Sequence, residues 1–129
     1  MRELKPTNIR LVWDSIRPGI EAALLKGGGD WRIEDAYASC VAGESHLYLA
    51  DTGAFCILQM QFNDLLVQKE CWVWIAYVPP GESLAPYFEQ VAAIARDAGA
   101  GRLRFESKRA GWERTPGWEM VSSNYVREL

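Results

Sequence analysis

Few side chains in this sequence can exchange a proton near neutral pH. His46 is the only histidine, and imidazole is the side chain whose unperturbed pKa lies near neutrality. Glu70 begins a predicted strand and Glu106 lies in the strand predicted beside it, so either carboxylate could act as a general base. Each residue also has a structural interpretation: an exposed turn for His46, a surface pair with Lys69 for Glu70, and a solvated strand face for Glu106. The residues alone leave both interpretations open.

The three cysteines give no pattern that points to chemistry. Cys40, Cys56 and Cys71 are an odd number of thiols, and they form neither a disulfide framework nor a CxxC pair. Each lies inside an apolar segment. We therefore predict buried, reduced thiols in a cytoplasmic protein and no metal site.

The densest basic cluster lies near the C-terminus and is interleaved with tryptophan. It comprises Arg102, Arg104, Lys108, Arg109 and Arg114. Because exposed tryptophan beside arginine is typical of protein interfaces, Trp112, Arg109 and Arg114 are the predicted contact with a protein partner or a second copy of the chain. Two alternatives stay open: a site for a phosphorylated ligand, or a mixed surface in which Glu106 and Glu113 offset the basic charges.

The composition is that of one soluble globular domain, predicted to span residues 1–129. The chain is 49% hydrophobic and 24% charged, with a formal net charge of -3. A mildly acidic chain is a poor candidate for non-specific nucleic-acid binding, which needs clustered lysine and arginine. Residues 1–10 lack the apolar segment of a signal peptide. The longest apolar run, residues 72–78, is far shorter than the ~20 residues that cross a membrane.

Apolar periodicity predicts two helices before the first main strand. The first begins after Thr7 or Asn8 as a cap and ends at the glycines of residues 27–29. Pro18 either kinks it or begins a second short helix. Its apolar stripe is Ile9, Val12, Trp13, Ile16 and Ile20.

The second predicted helix begins at Asp30 as its cap and ends at Gly43. Its predicted buried face is Ile33, Ala36, Tyr37, Cys40 and Val41. A third helix is predicted after Ser83 as its cap, and Gly99 ends it.

The remaining segments predict a mixed sheet. Residues 46–50, 54–62 and 69–78 are strands joined by short loops, so they form an antiparallel meander. Residues 102–107 follow the third helix and therefore run parallel to residues 69–78. A last strand is predicted at residues 119–127. The fold class is thus α/β (α+β), with a mostly antiparallel mixed sheet, two N-terminal helices and one central crossover helix.

The predicted strand at residues 69–78 is apolar on both faces, which is typical of a central strand covered on both sides. Strict alternation places one set of side chains on one face: Cys71, Val73, Ile75 and Tyr77. It places Trp72, Trp74 and Ala76 on the other face.

This order of elements resembles the GNAT superfamily of N-acyltransferases. The similarity covers nearly the whole chain from Thr7, although the family's first strand is reduced to a remnant at residues 2–5. Gly117-Trp118 followed by Tyr125-Val126-Arg127-Glu128 is similar to the family's C-terminal pattern. The resemblance implies an acetyl-CoA-dependent transfer of an acyl group to an amine, with Glu70 and Glu106 as the carboxylates best placed to serve as general base.

The resemblance also implies a cofactor site at the loop before the third helix. In the family, backbone N–H groups of an Arg/Gln-x-x-Gly-x-Gly/Ala loop hold the pyrophosphate of CoA. By position, the backbone groups that would do so here belong to Tyr77, Val78, Gly81 and Ser83.

This loop departs from the family pattern. Pro79 and Pro80 supply no N–H donors, and Glu82 places a negative charge beside the implied pyrophosphate. We therefore expect acetyl-CoA to bind weakly or not at all, with a dissociation constant above ~1 mM.

The tryptophan-rich Gly111-Trp112-Glu113-Arg114 and the loss of the short helix also resemble small GNAT-fold proteins encoded in tailed-phage gene clusters. This resemblance implies a phage-encoded protein that acts by protein binding, as a virion or assembly component, with lost or weakened acetyl-CoA binding. The alternative is an active N-acyltransferase that modifies an amine of a small molecule or a protein.

Overall fold

The computed structural model describes residues 3–27, 31–65 and 67–105. In these residues the elements, in chain order, are β1 (Lys5–Pro6), α1 (Ile9–Gly27), α2 (Ile33–Val41), β2 (His46–Leu49), β3 (Phe55–Asn63), β4 (Gln68–Tyr77), α3 (Ala85–Asp97) and β5 (Arg102–Phe105). The strands form one sheet in the order β1-β2-β3-β4-β5.

The sheet has the predicted mixed topology. β1 through β4 pair antiparallel, and β4 pairs parallel with β5 through the crossover helix α3. The two-residue strand β1 lies at the edge of the sheet and overlaps the predicted remnant at residues 2–5. The strand predicted at residues 119–127 lies outside the described residues.

α1 is a single helix that continues through Pro18, so the predicted alternative of a second short helix is wrong. The Oδ1 atom of Asn8 accepts a hydrogen bond from the backbone N–H of Arg10 at 3.0 Å, which caps the first turn. Ile9, Ile16 and Ile20 are buried, which confirms most of the predicted stripe. The tertiary packing of this stripe holds the helix together across the backbone hydrogen bond that Pro18 cannot donate.

α2 begins later than the sequence predicts. The backbone N–H of Arg32 donates to the Asp35 carboxylate at 2.7 Å, so the helix is capped from its own first turn, whereas Asp30 lies outside the described residues. Gly43 ends the helix with φ of +80°, as predicted. Val41 is exposed, which corrects its place on the buried face.

α3 begins at Ala85, and Ser83 does not cap it. Leu84 is the residue that precedes the helix, and no side-chain hydrogen bond caps the first turn. Pro86 occupies that turn, where its missing N–H disrupts nothing. The predicted cap is therefore wrong, because the chain reaches the helix through a turn at residues 79–82.

The sheet separates two hydrophobic clusters. One lies between the sheet and α3 and includes Tyr87, Val91 and Ala95. The other lies between the sheet and the pair α1 and α2. β3 and β4 contribute to both, which confirms that residues 69–78 form a central strand.

A β-bulge interrupts the pairing of β3 with β4. Ile57 pairs with Ile75, but the next residue of β3, Leu58, pairs with Val73. Trp74 is therefore the extra residue of the bulge. One extra residue reverses which face each later side chain of the strand occupies.

The bulge corrects the predicted faces of β4. Cys71 and Val73 pack in the α3-side cluster, whereas Ile75 and Tyr77 pack in the cluster beneath α1 and α2. Trp74 also packs on the α1 side. Strict alternation cannot continue through residue 74, so the four odd-numbered residues do not share a face.

Candidate functional site

The candidate site is the C-terminal half of β4. In the part of the chain that the structure describes, β5 pairs with residues 70–73 of β4. The bulge at Trp74 follows at once, and β4 continues to Tyr77. Among the described residues no strand pairs with β4 on this side past residue 73, and the backbone N–H and C=O groups of such an edge can bind a ligand. An N–H group in such a place can stabilise the oxyanion that develops when a carbonyl is attacked.

An aromatic wall lines this end of β4 on the side of α1 and α2. The rings of Trp31 and Trp74 meet edge to face, with centroids 5.6 Å apart. The rings of Phe55 and Tyr77 lie 5.5 Å apart. Trp31 belongs to the segment before α2 and was not predicted from the sequence; its position in a connection between two helices is the only signal that the sequence contains.

α1 lies close to this wall because Gly19 has no side chain. A Cβ atom at Gly19 would lie 2.7 Å from Cε1 of Phe55 and 2.9 Å from Cδ2 of Tyr77. Those separations are below any real carbon–carbon contact. The glycine therefore sets the distance between α1 and the end of β4.

Glu70 lies at the opposite end of β4 and is 4% exposed. Its two carboxylate oxygens lie 3.6 Å from Nη1 of Arg102 and 3.4 Å from Nη1 of Arg104. Lys69 instead donates to the carbonyl of Ala98 at 2.7 Å, so the predicted surface pair of Glu70 with Lys69 is wrong. Glu70 joins β4 to β5, and its role as a general base stays a prediction.

A chain of polar side chains continues from Glu70 across the sheet. Gln61 pairs with Glu70 in the strand register and donates to Gln59 at 3.3 Å. Gln59 donates to Ser45 at 3.0 Å, and Ser45 and Ser39 share a hydrogen bond of 2.6 Å. The polar chain on this face therefore lies before the bulge, and the aromatic wall lies at and after it.

The loop from β4 to α3 forms a tight turn. The backbone N–H of Glu82 donates to the carbonyl of Pro79 at 3.1 Å, and Gly81 has φ of +88°. With Pro80 at the second position, this is the sequence and geometry of a type II turn. The turn uses the Glu82 N–H internally.

The Glu82 side chain is held by a buried tyrosine. The hydroxyl of Tyr87, a residue 4% exposed, donates to Oε1 of Glu82 at 3.0 Å. The hydroxyls of Thr52 and Tyr87 lie 2.8 Å apart. Because a carboxylate only accepts, the Tyr87 proton goes to Glu82 and the Thr52 hydroxyl donates to Tyr87. The contacts connect the β2–β3 turn to the α3 loop through one tyrosine.

The chain matches no family model and no curated protein, but solved structures match it over nearly their whole length. One is a probable acetyltransferase with a TM-score of 0.72, at 20% identity, covering 100% of this chain and 99% of that chain. Another is the ribosomal-protein-alanine N-acetyltransferase from Brucella melitensis biovar Abortus 2308, with a TM-score of 0.70, at 13% identity, covering 98% and 99%. A third is an aminoglycoside acetyltransferase from an uncultured soil metagenomic sample, with a TM-score of 0.67, at 8% identity, covering 100% and 99%.

The fold is that of the GNAT acetyltransferases. The resemblance to GNAT proteins implies a site for the CoA pyrophosphate at the N-terminus of the helix that follows the central strand. That helix is α3 in this chain. The geometry of its loop therefore tests whether these residues fit the cofactor.

The loop does not fit a pyrophosphate. Pro79, Pro80 and Pro86 have no N–H to donate. The N–H of Glu82 is used in the turn, and the N–H of Tyr87 donates to the carbonyl of Leu84 at 2.9 Å. The Glu82 carboxylate adds a negative charge beside the first turn of the helix, where the helix dipole would otherwise attract an anion.

The four backbone positions implied for CoA take other roles. Tyr77 packs in the cluster beneath α1 and α2, and Val78 packs in the α3-side cluster. Gly81 forms the turn, and Ser83 is exposed. Their role in holding CoA stays a prediction, which the geometry of the loop does not support.

Four of the predicted site residues lie outside the described residues: Glu106, Arg109, Trp112 and Arg114. His46 is exposed at the start of β2 and lines a cleft of about 410 Å³ between the beginning of α1 and the end of α2. Among the described residues, no three His, Cys, Asp or Glu side chains could hold a metal ion together. No described helix has the length and apolar character needed to cross a membrane.

The thiols are not activated nucleophiles. Burial raises the pKa of Cys40 to about 11, of Cys56 to about 12 and of Cys71 to about 11. The thiolate is the reactive form. At neutral pH all three thiols therefore keep their protons; Cys56 and Cys71 are buried, as predicted, whereas Cys40 is only half-buried.

Proposed function

We propose that this chain is an N-acyltransferase that moves an acyl group from a thioester to an amine. The observation that carries the proposal is the bulge at Trp74, directly past the pairing of β4 with β5. It presents backbone groups of the central strand beside an aromatic wall. The names of the similar structures, an N-acetyltransferase and an aminoglycoside acetyltransferase among them, support the same reaction class.

Acyl transfer from a thioester to an amine requires few protein groups. The neutral amine nitrogen attacks the thioester carbonyl carbon, the C–N bond forms, and the C–S bond breaks. The departing thiolate takes up a proton, and the nitrogen gives one up to a base or to water. A backbone N–H at residues 74–77 would stabilise the oxyanion, and the wall of Trp31 and Trp74 would exclude water from the reacting carbonyl.

A second candidate is a protein of the same fold that binds a partner without catalysis. The specific observation in its favour is the α3 loop, which offers a carboxylate and prolines in place of an anion site. The resemblance to phage-encoded proteins extends this candidate to a virion or assembly component. Its partner, another protein or a second copy of the chain, would contact Trp112, Arg109 and Arg114.

One assay separates the two candidates. The purified chain is mixed with an acetyl thioester and, in turn, with a peptide bearing an N-terminal alanine, an aminoglycoside and a polyamine. We expect amine-dependent release of thiol and a product heavier by one acetyl group. Trp31→Ala should lower the rate, because it opens the wall to water, whereas Leu65→Ala, at a fully exposed position, should not.

If no amine increases thiol release from any thioester donor, the acyltransferase proposal fails. Concentration-dependent self-association in sedimentation, in a chain without turnover, would then favour the binding protein.

A further inference from the structure

We propose that the acyl donor of this chain is a thioester on a pantetheine arm that lacks the diphosphate of CoA. The donor would be either a free acyl-pantetheine or an acyl group on the arm of a carrier protein. The inference rests on the proposed acyl transfer and names its donor. It follows from the disagreement between the α3 loop and the group that the GNAT fold implies.

The first argument is the number of donors in the loop. An anion site at a helix N-terminus works through several backbone N–H groups that point at one place. Of the nine residues 79–87, three are prolines, and two more, Glu82 and Tyr87, use their N–H groups in local turns. At five of these nine positions the backbone N–H is therefore missing or engaged.

The second argument is a fixed charge. The Glu82 carboxylate accepts the Tyr87 hydroxyl at 3.0 Å. That hydroxyl belongs to a buried side chain, so moving the carboxylate away would replace its charged acceptor with the Thr52 hydroxyl alone, which is a weaker acceptor. Glu82 therefore cannot leave the loop without cost when an anion approaches.

The third argument compares the charges of the donors. CoA carries a diphosphate and a 3′-phosphate, about four negative charges in all. The arm of a carrier protein is attached through one phosphodiester with about one charge, and free pantetheine has none. The electrostatic repulsion from the Glu82 carboxylate is therefore greatest for CoA, smaller for the arm of a carrier protein and absent for free pantetheine.

The rest of the site suits the pantetheine arm. The arm carries two amides, which can pair with the backbone of a strand edge in the manner of an added strand. Within the described residues, the β4 edge past residue 73 is such a surface.

The test compares three donors with one acceptor: acetyl-CoA, acetyl-pantetheine and an acetylated carrier protein. We expect kcat/KM for acetyl-pantetheine to equal or exceed that for acetyl-CoA. In calorimetric titration, CoA should bind no more tightly than pantetheine does. A higher kcat/KM for the acetylated carrier protein than for free acetyl-pantetheine would identify the carrier protein as the acyl donor. Equal kcat/KM values would identify the free thioester as the donor.

A pair of variants isolates the charge. Glu82→Gln keeps an oxygen acceptor for Tyr87 but removes the negative charge, so it should raise kcat/KM for acetyl-CoA by about fivefold to tenfold and leave acetyl-pantetheine unchanged. Glu89→Gln removes the same charge from an exposed position of α3 and should change neither donor. Added salt should narrow the difference between the donors in the unmodified chain, because it screens the repulsion.

Two results would overturn the inference, and they differ from each other. A kcat/KM for acetyl-CoA more than tenfold above that for acetyl-pantetheine would contradict the donor but leave acyl transfer standing. No transfer from any of the three donors would remove the proposed function, and the donor with it.

Discussion

Glu70 shows how the environment of one residue can be hidden from its local sequence. Its neighbour Lys69 suggests a surface ion pair, yet the carboxylate is buried between Arg102 and Arg104. The nearer guanidinium contact comes from a residue 34 positions later in the chain. Only the parallel pairing of β4 with β5 brings these residues together, and alternation along a single strand cannot indicate it.

Removing the charge of Glu70 should destabilise the protein. In Glu70→Gln, two guanidiniums lose the carboxylate between them. Loss of one partner from a fully buried pair costs ~3–5 kcal/mol, and we expect about 2 kcal/mol because the arginines keep part of their contact with water. Chemical denaturation of the variant measures this change, with Glu89→Gln as the exposed control.

The same variant tests the catalytic prediction for Glu70. A structural residue lowers the folded fraction but leaves the acyl-transfer rate of each folded molecule unchanged. A loss of rate in fully folded protein, together with a shifted pH profile, would identify Glu70 as the general base. A change in unfolding free energy below ~0.5 kcal/mol would contradict the buried pair.

At the scale of elements, periodicity predicts the helices better than the faces of the central strand. The stripe of α1 follows from helical spacing alone, because packing against one layer imposes one period. β4 is apolar on both faces, so a shift of one residue leaves no trace in its pattern. The bulge at Trp74 is such a shift, and it also marks the candidate site.

The caps predicted for α2 and α3 are wrong for a different reason. Asp30 and Ser83 are good cap residues by type, but α2 is capped by Asp35 from within the helix and α3 follows a proline turn. Several residues near each helix boundary are suitable caps by type, and the geometry of the connecting segment determines which of them caps the helix.

Gly19 controls the packing of α1 against the candidate site, so Gly19→Ala should destabilise the fold. Alanine favours a helix over glycine by ~1 kcal/mol. Overpacking against Phe55 and Tyr77 costs ~1–3 kcal/mol, so we expect a net loss of up to about 2 kcal/mol in unfolding free energy. Thermal or urea unfolding measures it.

Ser15→Ala is the matched control in the same helix, because Ser15 is exposed. It should leave the stability within ~0.5 kcal/mol of the unmodified chain. If Gly19→Ala proves more stable than the control, α1 does not approach the end of β4 as closely as the structure shows.

For the whole molecule, the order of elements was sufficient to predict the mixed sheet, its parallel pair and its crossover helix. Short loops force antiparallel pairing, and a helix between two strands forces a parallel pair. The proposed donor preference does not follow from the order of elements in the same way. The sequence shows Glu82 and the prolines, but it does not show that Tyr87 fixes the carboxylate in place.

The buried thiols give the whole fold a predictable response to alkaline pH. The pKa of Cys56 is raised from 9.0 to about 12 by burial and by the nearby Cys71. Cys71 and Cys40 are raised to about 11 by burial. In the unfolded chain these thiols ionise near their ordinary value, so above pH 9 the unfolded state releases protons that the folded state keeps.

The contribution of the thiols to stability is therefore complete below about pH 9. It is lost between about pH 9 and 11 for Cys40 and Cys71, and between about pH 9 and 12 for Cys56. Each thiol contributes a slope of up to ~1.4 kcal/mol per pH unit in that window. We expect the free energy of unfolding to fall from pH 9 to pH 11 in urea titrations. Cys56→Ala should unfold more readily at pH 8, because it leaves a cavity, but its stability should fall less steeply as pH rises. Equal slopes for the variant and the unmodified chain would show that Cys56 ionises as readily in the folded protein as in the unfolded one, and would contradict its burial.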